Sequence, residues 1–190
     1  MAADESVTVK GSPVRSLQKF IESELTPAQR DSVFSTLPDP WRERLRGPIL
    51  PTETVPVSVL NKMTVEAASA KGEPLEQFAR RAGREGASDA VKGIYRFFAL
   101  VLTPAALLSK ASQMWSSLYN RGTLKVTSQS EHSAHLQLCD IKMEPAGCAR
   151  MTGWIERMAE MTSTGGVLKL EKTKCCSKGD TCCEWQLEWS

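Results

Sequence analysis

Apolar and polar residues alternate along this chain with two different periods, and the change falls at Arg121-Gly122. Before that point apolar residues recur every three or four positions, the spacing of an amphipathic helix. Val14 to Leu25 carries Leu17, Phe20, Ile21 and Leu25 on one stripe. Thr26-Pro27-Ala28-Gln29 then offers an N-cap threonine, a proline in the first helical position and a glutamine at the third, so a second short helix runs to about Thr36. Leu37-Pro38-Asp39-Pro40 ends it, Trp41 to Arg46 is at most two turns, and Gly47 to Pro56, with three prolines, reads as a connecting loop.

Helical spacing resumes at Val57, with Leu60, Met63 and Ala67, and stops at Lys71-Gly72. Pro74 to about Ala82 is a further helix, with Leu75, Phe78 and Ala79 on one face. Val91 to Leu102 is nearly continuous apolar sequence, but Arg96 interrupts it and Pro104 opens a new helix. It falls short of the roughly 18 apolar residues of a membrane span and is expected to be a buried helix. Pro104 to Asn120 follows, with Leu107, Leu108, Ala111, Met114, Trp115 and Leu118 on one face.

After Gly122 the period becomes two, the signature of half-buried strands. Leu124 and Val126 alternate with Lys125 and Thr127, and after a turn at Ser128 to Ser133, Ala134, Leu136 and Leu138 alternate on the way back. Pro145 opens an amphipathic helix with Cys148, Met151, Ile155 and Met158 on one side; Gly165-Gly166 closes it, and Val167 to Glu171 is strand. Cys183, Trp185, Leu187 and Trp189 share one face of a last strand, with Glu184, Gln186 and Glu188 on the other. The expected fold is α+β: N-terminal helices, then a four-stranded antiparallel sheet with helices packed on one face. Residues 1 to 13, small and polar, are expected to form a flexible tail.

Composition narrows the function. The chain is 41% hydrophobic and 24% charged, with a formal net charge of +2, and this balance argues against a nucleic-acid-binding module. Met1 to Gly11 has no basic stretch followed by an apolar one, so no secretory signal is read there and a cytoplasmic location is expected. Thiols stay reduced in that compartment, so six cysteines point to metal binding, redox work or buried thiols before disulfides. No G-x-S-x-G, P-loop or H-E-x-x-H pattern occurs, and the scattered carboxylates suit a solvated surface, so the chain is not expected to be an enzyme.

Four of the cysteines flank a Gly-Asp turn: Cys175-Cys176 before Gly179-Asp180 and Cys182-Cys183 after it. Adjacent residues of a strand point to opposite faces, so each vicinal pair is expected to supply one metal ligand. Cys175 and Cys183 each stand four residues from Gly179, Cys148 can add a third thiolate from the helix, and Glu171 is the nearest carboxylate. Zinc takes four such ligands in a tetrahedron. Simple alternation, however, groups Glu171 with Lys169 and opposite Leu168 and Leu170, so Glu171 reaches the site only if a bulge turns it inward. The competing readings are small buried hydrophobes or a thiol redox switch.

At Cys148-Ala149-Arg150-Met151-Thr152-Gly153, at the strand ending in Glu171, and from Cys175 through Gly179-Asp180 to Cys183 and its aromatic strand, the chain resembles the 4-vinyl reductase family of small-molecule-binding domains. That family shares a superfamily with haem-based nitric-oxide sensors and Golgi transport subunits. The resemblance covers about residue 85 to residue 190, leaving 14 to 84 as a helical N-terminal extension. It implies a structural zinc on Cys148, Glu171, Cys175 and Cys183, and a pocket for a hydrophobic small molecule or lipid. Candidate lining residues are Ile94, Phe97, Phe98, Val101, Leu107, Leu108, Trp115, Trp154 and Trp185. Apolar stripes also fill plain cores, so these residues carry both readings. His132 and His135, the two histidines, lie in the hairpin outside the helical half, and no haem is expected. Without an output domain in the chain, such a module is expected to act through a protein partner or as a homodimer; a scaffold subunit is the alternative.

Overall fold

The computed structural model describes residues 6–92, 110–162 and 169–189. It is α+β, with a helical layer followed by a four-stranded antiparallel sheet. Strand β1 (Thr8–Lys10) pairs antiparallel with β2 (Thr54–Pro56), so Thr8 already belongs to a strand where a tail to residue 13 is expected, and the prolines of the 47–56 loop lead into an unforeseen one. The reason is burial: Val9 and Val55 face each other and both are wholly enclosed. Helices α1 (Gly11–Glu24), α2 (Pro27–Ser35), α3 (Trp41–Arg44) and α4 (Val57–Lys71) follow the predicted stripes. Thr26 and Gln29 form the capping box that the sequence foretells, the threonine N–H donating to Gln29 Oε1 at 2.9 Å.

Helix α5 (Leu75–Lys92) does not stop near Ala82; it runs on through Gly83 and Gly86. Its partner explains why. Helix α7 (Pro145–Thr162) crosses it so closely that a Cβ on Gly83 would lie 1.9 Å from the carbonyl oxygen of Arg150, and one on Gly153 would lie 2.0 Å from that of Arg80. The glycines that weaken a helix in isolation are what let two helix backbones touch. Arg80 and Arg84 then reach Glu156, and Arg84 also pairs with Glu160, along the flank of the crossing.

Helix α6 (Ala111–Leu118) leads into β3 (Thr123–Gln129) and β4 (Ser133–Cys139); β5 (Lys169–Lys174) and β6 (Cys183–Glu188) complete the sheet in the order β3-β4-β6-β5. The first strand of the last hairpin thus runs past Glu171 to Lys174. Strand alternation is obeyed on β6, where Cys183, Trp185 and Leu187 are fully enclosed, and Ala134, Leu136 and Leu138 of β4 lie beside them. Ile155, Ala159 and Cys148 of α7 cover this face. Of the expected helix over Val91 to Leu102, Val91 and Lys92 end α5, and the rest, with the start of the one at Pro104, lies outside the described residues. Among the described residues no helix is long and apolar enough to cross a membrane.

Candidate functional site

Two hydrogen bonds place Cys148. The buried Trp185 indole N–H donates to Thr152 Oγ1 at 2.9 Å, and that hydroxyl donates to the carbonyl of Cys148 at 3.0 Å. The last strand therefore sets the height and rotation of α7, and Cys148 faces the hairpin. Cys183 comes from the first inward position of β6, and Cys175 from the residue after β5. The sharp turn that holds Cys175 is pinned by Asp180, whose carboxylate accepts the Cys175 N–H at 2.7 Å. Gly179 at φ 107 supplies the left-handed residue that the turn requires.

The three sulfurs converge. Cys148 Sγ lies 3.5 Å from Cys183 Sγ and 3.6 Å from Cys175 Sγ, and all three residues are buried. Thiolates around one zinc at bonds of about 2.3 Å stand about 3.8 Å apart, so the two Cys148 separations are close to the edge length of a zinc tetrahedron, and all three sulfurs lie within 4.8 Å of one another. The Cys148 thiol is pulled down to about 5: the hydrogen bond from Cys183 does most of this, burial opposes it, and Lys172 favours the thiolate. Cys183, the donor of that bond, is pushed up, and burial adds to the effect. Burial works against the Lys172 ammonium, but Cys148 and Cys175 hold it above its ordinary value.

Glu171 does not join the cluster. It is exposed, paired with Gln186 on the outer face of the sheet, and the irregularity in β5 falls between Lys172 and Lys174, too late to turn it inward. Lys172 takes the inward place, opposite Trp185, with its ammonium 5.2 Å from the centre of the indole. The signal for Lys172 is in the alternation itself, which continues from Leu170. Cys176, which the sequence admits only as a replacement for its neighbour Cys175 if the hairpin register shifts by one, also comes to the cluster. A single 3-10 turn, Cys176–Lys178, replaces strand geometry here, and Cys176 Sγ lies 3.1 Å from Cys183 Sγ.

Cys139 and Cys182 depart from the expectation of reduced thiols: they form a disulfide on the outer side, next to the Leu138–Cys183 pair. Vicinal Cys182 and Cys183 thus point to opposite faces, one oxidised and one free.

Of the expected pocket residues, Ile94, Phe97, Phe98, Val101, Leu107 and Leu108 lie outside the described residues. Trp115 is buried and stacked on Tyr119 with centroids 4.0 Å apart, Trp185 is in the sheet core, and Trp154 packs against α6 residue Met114 and its neighbours. A groove of about 450 Å³ elsewhere, between α1 and α2, is lined by Arg15, Gln18, Arg30 and Phe34 among others, and by none of the expected pocket residues.

No family model matches the chain, and no curated protein does. Solved structures do. An iron(II) unliganded H-NOX protein mutant from K. algicida is 13% identical, with a TM-score of 0.72 over 95% of this chain and 96% of its own. An oxygen-binding H-NOX domain related to soluble guanylate cyclases is 12% identical, with a TM-score of 0.73 over 95% of both chains. An H-NOX protein from S. oneidensis in the Fe(II)NO state is 11% identical, with a TM-score of 0.72 over 95% of this chain and 99% of its own. At these identities the likeness is one of fold, and it takes in the helices before residue 85 as well as the sheet.

The expectation of no haem is corrected by this finding, since the fold is one whose solved examples include haem-bearing proteins. The donors available for such a group are specific to this chain. His132 is exposed at the tip of the β3–β4 hairpin and His135 is on the outer face of β4, paired with Gln186. A haem held by a histidine of the helical layer does not fit these residues, so another donor would have to serve.

Proposed function

We propose that this chain is a non-enzymatic sensing module that binds a small molecule within the H-NOX-type fold and passes its state to a protein partner or a second copy of itself. The observation that carries the reading is the convergence of Cys148, Cys175 and Cys183 beneath the last hairpin, in a fold shared along 95% of the chain with small-ligand sensors. In this reading the three thiolates hold a structural zinc that ties α7 to the hairpin, while the small molecule binds elsewhere in the fold. Zinc bound by a folded site adds its binding energy to folding stability. The chain's own contribution is positional: Trp185 and Thr152 fix Cys148, Asp180 fixes Cys175, and Lys172 offsets the thiolate charge.

The test uses the full chain purified under reducing conditions without added metal. Native mass spectrometry is expected to show one zinc per chain, and EDTA is expected to lower the melting temperature. Titration with haem and with a panel of apolar aromatic ligands, followed by absorbance and thermal shift, reads the ligand class. Metal-free protein with unchanged stability in EDTA, together with no ligand-induced shift, would overturn the proposal.

A further inference from the structure

We infer that the fourth metal ligand is Cys176, so that the centre is all-thiolate, built by Cys148, Cys175, Cys176 and Cys183. This rests on the metal reading above and goes beyond it by naming the coordination. Zinc needs four donors, and the cluster supplies three buried sulfurs. Each alternative fourth donor near the hairpin is disqualified by its position or chemistry. Glu171 is on the opposite face of β5. The Asp180 carboxylate is engaged by the Cys175 N–H at the turn. The Ser177 hydroxyl, 3.0 Å from Cys175 Sγ, is a neutral oxygen outside zinc's usual set of thiolate, imidazole and carboxylate. His132 accepts at its carbonyl from Trp189, at the far end of β6 from Cys183.

Cys176 has the right chemistry beside the trio: its sulfur touches Cys183 but is not among the sulfurs that lie within 4.8 Å of one another, so a bound metal would have to draw it in. The 3-10 turn brings its sulfur to 3.1 Å from Cys183 Sγ, and its N–H points at that same sulfur from 3.4 Å. Charge agrees with this assignment. Four thiolates around a divalent ion carry a net charge of −2, and the side chain turned inward beside them is Lys172, a cation where a carboxylate-ligated site would present its acid. Cys176 is also the half-exposed corner of the four, so the metal would enter and leave on that side.

Zinc-loaded full chain is examined by X-ray absorption, and metal-free chain is titrated with cobalt(II), whose sulfur-to-metal absorption scales with the number of thiolates. The expected shell is four sulfurs at about 2.3 Å. Cys176→Ser is expected to remove about a quarter of the charge-transfer intensity, as one of four thiolates is lost. Its affinity should fall at least as far as the roughly 10–100-fold that loss of a supporting group alone produces. Glu171→Gln is expected to behave like the parent. A shell of three sulfurs and one light atom, or loss of affinity in Glu171→Gln with none in Cys176→Ser, overturns the Cys176 assignment and leaves the metal reading standing. A parent chain that binds neither metal overturns both.

Discussion

The molecule has two main cores built on different terms. The helical core, from Val9 and Val14 through Phe78 to Ala82, is hydrocarbon and aromatic ring with one thioether, Met63, and no thiol. The sheet core holds Trp115, Trp185 and Trp189 around three free thiols, with a lysine leaning over one indole. Both exclude water equally well, with Val9 and Trp185 alike fully enclosed. The difference lies in what each can answer to. A hydrocarbon core responds to temperature and denaturant, whereas a core with sulfurs in contact also responds to metals and oxidants.

Truncating a large residue in each core tests this with the largest expected effect. Phe78→Ala and Trp185→Ala should each destabilise by about 3–5 kcal/mol, read by chemical denaturation. Only Trp185→Ala should also weaken zinc binding, since its N–H orders Thr152 and through it Cys148. Equal loss of zinc in both variants would mean that the cores are not separate in function.

The outer disulfide offers the next test. Cys139 and Cys182 close a loop with a sequence separation of 43, and reducing them, or the double serine variant, should cost about 2–4 kcal/mol. Zinc stoichiometry should be unchanged, because these sulfurs are on the far face of the sheet. The crossing between the helical layer and α7 comes third. Gly153→Ala should cost about 1–3 kcal/mol through overpacking against Arg80, despite alanine's better helix propensity, with a matching fall in melting temperature.

Acid has the smallest expected effect and concerns the helical layer. The Arg81 guanidinium hydrogen-bonded to Glu24 holds that carboxyl below its ordinary value, burial opposing and Lys71 assisting; Arg84 does the same for Glu160. A carboxyl depressed by folding contributes its stability above the unfolded value of about 4.3 and loses it as pH falls through the folded one. Melting temperature should therefore drop modestly between about pH 5 and pH 3, and less in high salt.

Much of the fold is legible in the sequence, because stripes such as Leu17-Phe20-Ile21 and alternations such as Cys183-Trp185-Leu187 are local patterns that tertiary packing leaves intact. The length of α5 is not legible: Gly83 reads as a breaker until α7 is seen to need the space its missing side chain leaves. Within the site, Cys148 and Cys183 follow from helix and strand periodicity. Cys175 shares the parity of the outward Glu171 and reaches the inner side only because β5 shifts register between Lys172 and Lys174, and Cys176 is then carried by the 3-10 turn that follows. Glu171 illustrates the opposite case, where plain alternation outweighs the resemblance and Lys172 takes the inward position.

Strand β1 carries a consequence for how the chain is made. Its Val9 bridges Tyr119, and Asn120 bonds Ser6 and Thr8 through both ends of its side-chain amide. β1 can pair with β2 once Pro56 has been synthesised, but its second edge waits for residues 119 and 120. At roughly 5–20 residues per second, that edge stays bare for several seconds of translation. An open strand edge is a template for pairing with other chains, so β1 is an aggregation-exposed edge while the chain is being made and an interior seam once it has folded.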